Sequence, residues 1–471
     1  MAAEICGAKL LAPFFGSSLY VWSSVMAITL GGLASGYFIG GQLSRKNHRE
    51  QKLFFVLLIA VCALCLMPIL SKSFYFFGRI LPLIPAVILS VLFLLFPAML
   101  CMGATSPLLI SLLTEEAEHS GANSGKIYAI STVGGIIATF LCGFYLIPTI
   151  GITYTLICFS VPLAFASGIL IYKKKSKQPF LILLIPVCYF LLSFINKKYD
   201  PHCVYKTEGI LGQLEVRDER YMGEKPLYVR QLLVNNIIQT EMDVLTHESV
   251  SEYVKLVEQN LSSFKPGKAL ILGLGGGVLP NMFYKHRYDV TVVEFDQRII
   301  DAAKNFFYLS PSIKIYCDDA RHFINNSTEK HQMIFLDIFK AEEQPSHVIT
   351  KESVVKLKSM LTPNGVIIIN TNGYISIPKG RGTLCMIATL KTAGFHIKVC
   401  PTGPNEEYRN LLIYATLEPL KDTLSQELNP LLLQDTLTIN EDNKPVLEKL
   451  NAAASHTWRS DYIKNHILFK Q

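Results

Sequence analysis

Charge is scarce in this sequence. Only 17% of its 471 residues are Asp, Glu, Lys or Arg, against 50% hydrophobic, which is too oily for an ordinary soluble enzyme. The scarcity is concentrated. No charged residue falls within Leu10–Ser44, Leu53–Ser71, Ile80–Thr114, Ile127–Tyr172 or Gln178–Asn196. Residues 1–200 hold 14 Lys and Arg against 6 Asp and Glu, and the remainder holds 30 against 31. The formal +7 therefore sits in loops between apolar stretches, which marks a membrane protein and not a nucleic-acid footprint. Metal-ligand and disulfide spacings are missing too. Cys62 and Cys65 have C-x-x-C spacing but lie inside "LFFVLLIAVCALCLMPIL" with no charged or histidine neighbour, so they read as small apolar helix residues.

A span needs about 20 apolar residues, because a helix rises ~1.5 Å per residue across ~30 Å of hydrocarbon. The uncharged stretches predict six spans, near 19–41, 53–71, 83–106, 127–148, 152–172 and 179–195, with a hairpin break at "IPTIG" (Ile147–Gly151). Gly32, Gly36 and Gly40 recur every four residues and predict a helix-packing seam. The basic loops "RKNHREQK" (Arg45–Lys52) and "KKKSK" (Lys173–Lys177) are four spans apart, so both can face the cytoplasm. A further crossing by 179–195 would put the second half outside. The expectation is nonetheless a multi-pass protein of the cell (inner) membrane with a cytoplasmic soluble domain, which requires that residues 179–195 do not fully cross or that one of the six spans is misplaced.

After "NKKYDP" (Asn196–Pro201) the periodicity changes. "GQLEVRDERY" and "LYVRQLLVNNIIQT" read as strands with a hairpin turn at Asn235-Asn236, and Tyr228 as core of this β region. A helix is predicted from Thr246 through "HESVSEYVKLVEQNL". Strands and helices then alternate: strand 268–274, helix from 278, strand 289–295, helix 297–307, strands 313–317 and 333–338, helix 351–361, strand 365–371, helix 381–393, and strands near 396–400 and 410–417. That alternation predicts a doubly wound parallel sheet, whose ligands lie outside the carboxyl ends of the strands. The implied domains are 1–200 transmembrane, 201–245 small β region, 246–420 α/β, and 421–471 helical tail.

"LILGLGGGVLPNMF" (Leu270–Phe283) is a strand, a glycine knot and a helix. It lacks the Lys-Ser or Lys-Thr of a phosphate loop, and position 278, where a dinucleotide fingerprint would have its third glycine, is Val. Gly273, Gly275, Gly276 and Gly277 instead pack into the turn, where backbone passes close to a flat ligand. Glu294, 21 residues after Gly273, ends the next strand and can accept both ribose hydroxyls; Asp318 and Asp319 end the one after and suit an adenine amino group. This series favours an S-adenosyl ligand over NAD.

These residues resemble the spermidine synthase family, and more closely its membrane-fused members. "LLAPFFGSSLYVW" and "GKIYAISTVGGIIATFLCGFYLIPTIG" look like that group's membrane segment. "RQLLVNNIIQT", "HE", "GLGGGVL", "VVEFD", "DDAR", "LDIF" and "QPSHVIT" follow in family order, and "EDNKPVLEKL" and "WR" (Trp458-Arg459) resemble the fused group's tail. The resemblance implies a multi-span α-helical membrane domain followed by a Rossmann-like domain of the S-adenosylmethionine-dependent transferase type. It implies aminopropyl transfer from decarboxylated S-adenosylmethionine to a polyamine amine, with no metal. Asp337 matches the catalytic acid. Gln239 joins the donor-binding residues, and His347, His247 and Glu248 fall on the acceptor side. The expected partners are a polyamine-like small molecule and the lipid bilayer, with no nucleic acid; a homo-oligomer is compatible.

Three departures stand out. Gly275 occupies the place of the family's aspartate for the donor amine. Lys340 stands where a second acid is usual, with Glu342 and Glu343 nearby. The family begins with a further apolar span, whereas this chain starts three residues before Glu4. Methyl transfer from S-adenosylmethionine, and a non-catalytic transport or sensing role for a nucleoside- or polyamine-binding domain, therefore stay open.

Overall fold

The computed structural model describes residues 1–15, 19–45, 47–73, 81, 83–114, 120–172, 184–195, 200–209, 211–221, 226–338, 346–403, 409–429 and 438–462. Two compact units result: 1–200 with 207–213, and 201–206 with 214–471.

The first unit is helical: α1 (Ala2–Phe15), α2 (Leu19–Ser44), α3 (Arg49–Ser73), α4 (Leu83–Leu113), α5 (Ser120–Phe140), a π-helical turn (Leu141–Leu146), α6 (Ile147–Tyr172) and α7 (Leu184–Ile195). Four helical runs among the described residues are long and apolar enough to cross a membrane: Val21–Ser44, Arg49–Ser71, Ile84–Leu113 and Gly121–Leu170. The last covers both spans expected at 127–148 and 152–172. Its 50 residues exceed twice the ~20 that one span needs, and its backbone leaves helical geometry at Gly151 (φ 82, ψ 172), inside the segment where the sequence predicted a break. The amide that the break frees, Ile152 N–H, donates to Glu208 Oε2 at 2.5 Å, a carboxylate that belongs to this same unit. Helix α1 was not foreseen, because Glu4 and Lys9 interrupt its apolar run. Of the sixth expected span, residues 179–183 lie outside the described residues, as does the basic run Lys173–Lys177.

The glycine seam faces α4. A Cβ on Gly32 would sit 2.7 Å from Met99 Cβ, one on Gly36 would collide with the Leu100 carbonyl oxygen, and one on Gly40 would sit 2.5 Å from the Ala104 carbonyl oxygen. Backbones this close require the missing side chains.

From Cys203 the chain forms a four-stranded meander, β1 (Cys203–Gly209), β2 (Gly212–Tyr221), β3 (Leu227–Val234) and β4 (Ile237–Asp243), of which residues 207–213 group with the first unit and the rest with the second. Asn235 and Asn236 join β3 to β4 with φ of 52° and 62°, the pair of positive values that a two-residue I′ turn demands. Tyr228 corrects an expectation: it is 41% exposed with the Arg220 guanidinium 5.1 Å over its ring, because its alternation places it on the outer face of β3. The next helix, α8 (Glu252–Asn260), also starts later than predicted. Positive φ at His247 and a bridge between Ser249 and Met242 hold 247–249 out of helix.

A seven-stranded sheet follows, in the order β10-β11-β9-β8-β5-β6-β7. Its strands are β5 (Lys268–Leu272), β6 (Asp289–Glu294), β7 (Lys314–Cys317), β8 (His331–Leu336), β9 (Leu361–Gly373), β10 (His396–Pro401) and β11 (Arg409–Thr416). Helices α9 (Val278–Lys285), α10 (Gln297–Phe306), α11 (Ala320–Asn326), α12 (Lys351–Ser359) and α13 (Arg381–Thr392) alternate with them, and α14 (Leu447–Tyr462) closes the tail. The sheet is mixed and not wholly parallel: β11 runs antiparallel to both β9 and β10. The link from β10 to β11 is too short for a crossover helix, so the chain must turn back. Leu270, Leu272, Ile334, Leu336, Ile367 and Ile369 fill one face of the sheet against Val354, Leu357 and Leu390. Each buried aliphatic side chain contributes about 1.5–3 kcal/mol.

Candidate active site

The chain builds β5, β6 and β7 outward in one direction, then returns to lay β8 on the other side of β5. That reversal is a switch point, where strand ends splay and leave a crevice. Two turns meet there, the glycine turn after β5 and the Asp337 turn after β8. Asp337 N–H donates to the Leu272 carbonyl at 2.9 Å, and a Cβ on Gly273 would collide with the Asp337 carbonyl oxygen. Gly273, Gly275 and Gly277 have φ of 97°, 53° and 80°, a region L side chains rarely enter.

Strand β4 covers the turn from above. Gly276 N–H donates to Thr240 Oγ1 at 2.7 Å, and the same oxygen stands 2.6 Å from where a Cβ on Gly275 would be. A side chain at 275 would have to displace the Thr240 hydroxyl from Gly276 N–H. Gln239 precedes Thr240, half-buried, its Nε2 3.4 Å from the Ile237 carbonyl.

Glu294 ends β6 beneath the turn and is 7% exposed. Its Oε2 accepts from Leu274 N–H at 3.0 Å and its Oε1 from Asp296 N–H at 2.9 Å. Burial pushes its pKa up to about 7, against the downward pull of those two amides. Each carboxylate oxygen keeps a second lone pair, so ribose hydroxyls can still be accepted.

After β7, Asp319 caps α11 by accepting from His322 N–H at 3.0 Å. Asp318 lies 2.8 Å from His322 Nδ1 and raises that imidazole's pKa. His347, expected on the acceptor side, lies with its Nε2 3.7 Å from Asp319 Oδ2. Its loop is tied down by Arg321, which donates to the His347 carbonyl and to Thr350 Oγ1. His247 stacks on Tyr308, ring centroids 3.8 Å apart. Glu248 is exposed, its carbonyl accepting from Asp243 N–H at 2.9 Å. Lys340, Glu342 and Glu343 lie outside the described residues.

Asp337 is half-buried and held from two sides. Asn370 Nδ2 donates to its Oδ1 at 2.8 Å, and Tyr253 OH donates to its Oδ2 at 2.8 Å. Asn410 Nδ2 in turn donates to Asn370 Oδ1 at 2.9 Å. Burial raises the Asp337 pKa, and the Asn370 and Tyr253 donors counter it. Burial, with the adjacent Asp337, sends the Tyr253 hydroxyl well above its ordinary value, so it stays a donor. Thr240, Tyr253, Asn370 and Asn410 were not foreseen. An asparagine inside "VIIINTNG" was a usable signal, since a buried amide must be satisfied; Tyr253 carried none, being one polar ring in an amphipathic helix.

The profile of the family described as "Spermine/spermidine synthase domain" matches residues 243–378. A polyamine aminopropyltransferase of Vibrio vulnificus is 34% identical over 115 residues, 23% of this chain and 38% of that protein. An N-terminal histidine N-methyltransferase of Emericella nidulans is 30% identical over 159 residues, 31% of this chain and 28% of that protein. The chain thus spans well under half the length of either relative. Among solved structures, a probable spermidine synthase from Corynebacterium glutamicum overlaps 46% of this chain and 78% of its own at 19% identity, with a TM-score of 0.39.

Proposed function

We propose, for a chain whose C-terminal part carries a spermine/spermidine synthase domain, that it is a membrane-anchored transferase moving an aminopropyl group from decarboxylated S-adenosylmethionine to a polyamine amine. The supporting observation is the Asp337 carboxylate, fixed by Asn370 and Tyr253 beside the glycine turn. In this reading Glu294 accepts the ribose hydroxyls, Asp318 and Asp319 flank the adenine, and Gly273 to Gly277 let the nucleoside lie against backbone.

An acceptor amine arrives charged, with a pKa near ~10.4. Asp337 has both oxygens occupied by neutral donors yet keeps lone pairs toward the crevice, so it can hold the ammonium and take its proton. The freed nitrogen attacks the carbon beside the sulfonium in line with the sulfur. A C–N bond forms, the C–S bond breaks with its electron pair passing to sulfur, and a neutral thioether leaves. Holding both partners in that alignment converts an encounter into an intramolecular step.

Methyl transfer from S-adenosylmethionine is a second reading, favoured by one observation. Residue 275 is a glycine and supplies no acid for the donor's amine, and Thr240 Oγ1 lies 2.6 Å from where its Cβ would be. The third reading is binding without turnover, in transport or sensing. Incubating the full chain in detergent with each donor and a panel of polyamines, then weighing the products, separates them. One added aminopropyl mass is the expected result, one methyl mass moves the assignment to the second reading, and bound donor without product moves it to the third.

A further inference from the structure

Two thiols 136 positions apart meet in the helical unit. Cys6 on α1 and Cys142 in the π turn both have 0% exposure, and their sulfurs are 3.8 Å apart. The turn itself is unusual. Leu141–Leu146 is π-helical inside an otherwise α-helical run, and such bulges cost hydrogen-bond geometry and recur at functional sites. Of its six residues Cys142 is the buried one, and the adjoining Gly143 faces open space. The bulge therefore directs one side chain, a thiol, onto α1, where its sulfur also lies 3.9 Å from the Ala2 carbonyl oxygen. A disulfide is ~2.05 Å long. Closing the remaining gap takes a shift of under ~2 Å, within reach of two unbranched side chains at a helix contact.

We propose that Cys6 and Cys142 are a site of reversible oxidation, closed to a disulfide by a small hydroperoxide. One thiol gives up its proton and its sulfur attacks the peroxide oxygen; the O–O bond breaks, a sulfenic acid forms, and the departing hydroxide or alkoxide takes that proton to leave as water or an alcohol. The second sulfur, on losing its proton, attacks the sulfenic sulfur; S–S forms, the S–O bond breaks, and the hydroxide leaves as water with that proton. With hydrogen peroxide, two thiols and one peroxide give one disulfide and two waters, the two electrons passing from the sulfurs to the peroxide oxygens. A small neutral oxidant suits a pair without exposed surface, and for the same reason a small neutral dithiol is the reductant that reverses the bond by exchange. The closed link staples α1 to the π turn and raises the unfolding temperature, because it shortens the unfolded chain. This inference stands apart from the enzymatic reading.

The test treats the full chain in detergent with hydrogen peroxide, alkylates remaining thiols after denaturation, and maps peptides without reductant. Trypsin releases Cys6 on Met1–Lys9, and Cys142 on a fragment that also holds Cys158. The expected product is a Cys6-linked fragment that disappears on reduction, survives Cys158→Ser and is lost in Cys142→Ser, with Cys6 alkylation reduced at least about fivefold. Equal Cys6 alkylation with and without peroxide would overturn the proposal, as would a link that survives Cys142→Ser. Should Cys142→Ser fail to fold, Cys6→Ser gives the same reading through Cys142: peroxide must then no longer reduce its alkylation.

Discussion

At the scale of single residues, Asp337 and Glu294 are both carboxylates held by neutral donors, but their tasks differ. In the proposed reaction Asp337 exchanges a proton, so Asp337→Asn is expected to lower turnover at least ~100-fold, the usual reach of general base catalysis, with donor affinity kept within about threefold by calorimetry. Full activity would remove the assignment. In the same proposal Glu294 accepts the ribose hydroxyls, and its pKa of about 7 gives two opposite pH trends. The folded chain holds this proton more tightly than the unfolded chain, so the group's contribution to stability is full below about pH 4.5 and is lost as pH rises through about 7. Donor affinity runs the other way, falling as pH drops below about 7, because a protonated carboxyl accepts fewer ribose hydrogen bonds. Melting temperature and donor Kd measured across pH 5–8 check both trends. Glu294→Gln should flatten them and weaken binding by roughly 1.5–3 kcal/mol, the range for a lost charged hydrogen bond.

Elements carry the positioning. Asn440, fully buried, donates to the Ser346 and Ile349 carbonyls and accepts from Val446 N–H. It pins the loop that holds His347 beside Asp319 to the start of the tail. Asn440→Ala leaves the buried Ile349 carbonyl and the half-buried Ser346 carbonyl and Val446 amide without this partner, so a loss of about 2–4 kcal/mol is expected by denaturant titration, with KM rising more than kcat falls. In the helical unit the α2–α4 seam makes a sharper demand. Gly36 has no space for even a Cβ against Leu100, so Gly36→Leu must push the two backbones apart. That overpacking should cost at least ~3 kcal/mol, read as loss of the monodisperse detergent-solubilised species; an unchanged elution profile would show that the seam yields.

For the whole molecule, two compact units with separate cores follow the division of composition. The buried cluster of the seven-stranded sheet draws on residues 270–447 and on none of the first 200. Residues 201–471 made alone are therefore expected to unfold cooperatively and to bind donor with an affinity near that of the full chain. A fragment without a melting transition would show that the two units fold as one. The first unit is the apolar part, with four helical runs among the described residues long and apolar enough to cross a membrane.

Much of this was legible along the chain because its signals are local. Strand-helix alternation located every strand of the main sheet to within a few residues, since burial on both faces writes continuous apolar runs into its inner strands, while the edge strand β7 was placed by its position in the alternation. The Asn235-Asn236 turn and the glycine seam were legible for the same reason, as each is set by neighbours or by helical spacing. The residues around Asp337 were not. Tyr253, Asn370 and Asn410 come from a helix and two strands far apart in sequence, and only the packed sheet brings their donors to one carboxylate. The antiparallel return of β11, the contact of Thr240 with the glycine turn, and the meeting of Cys6 with Cys142 were likewise decided by tertiary structure. Periodicity reports which way a side chain faces; which distant group meets it depends on how the elements pack.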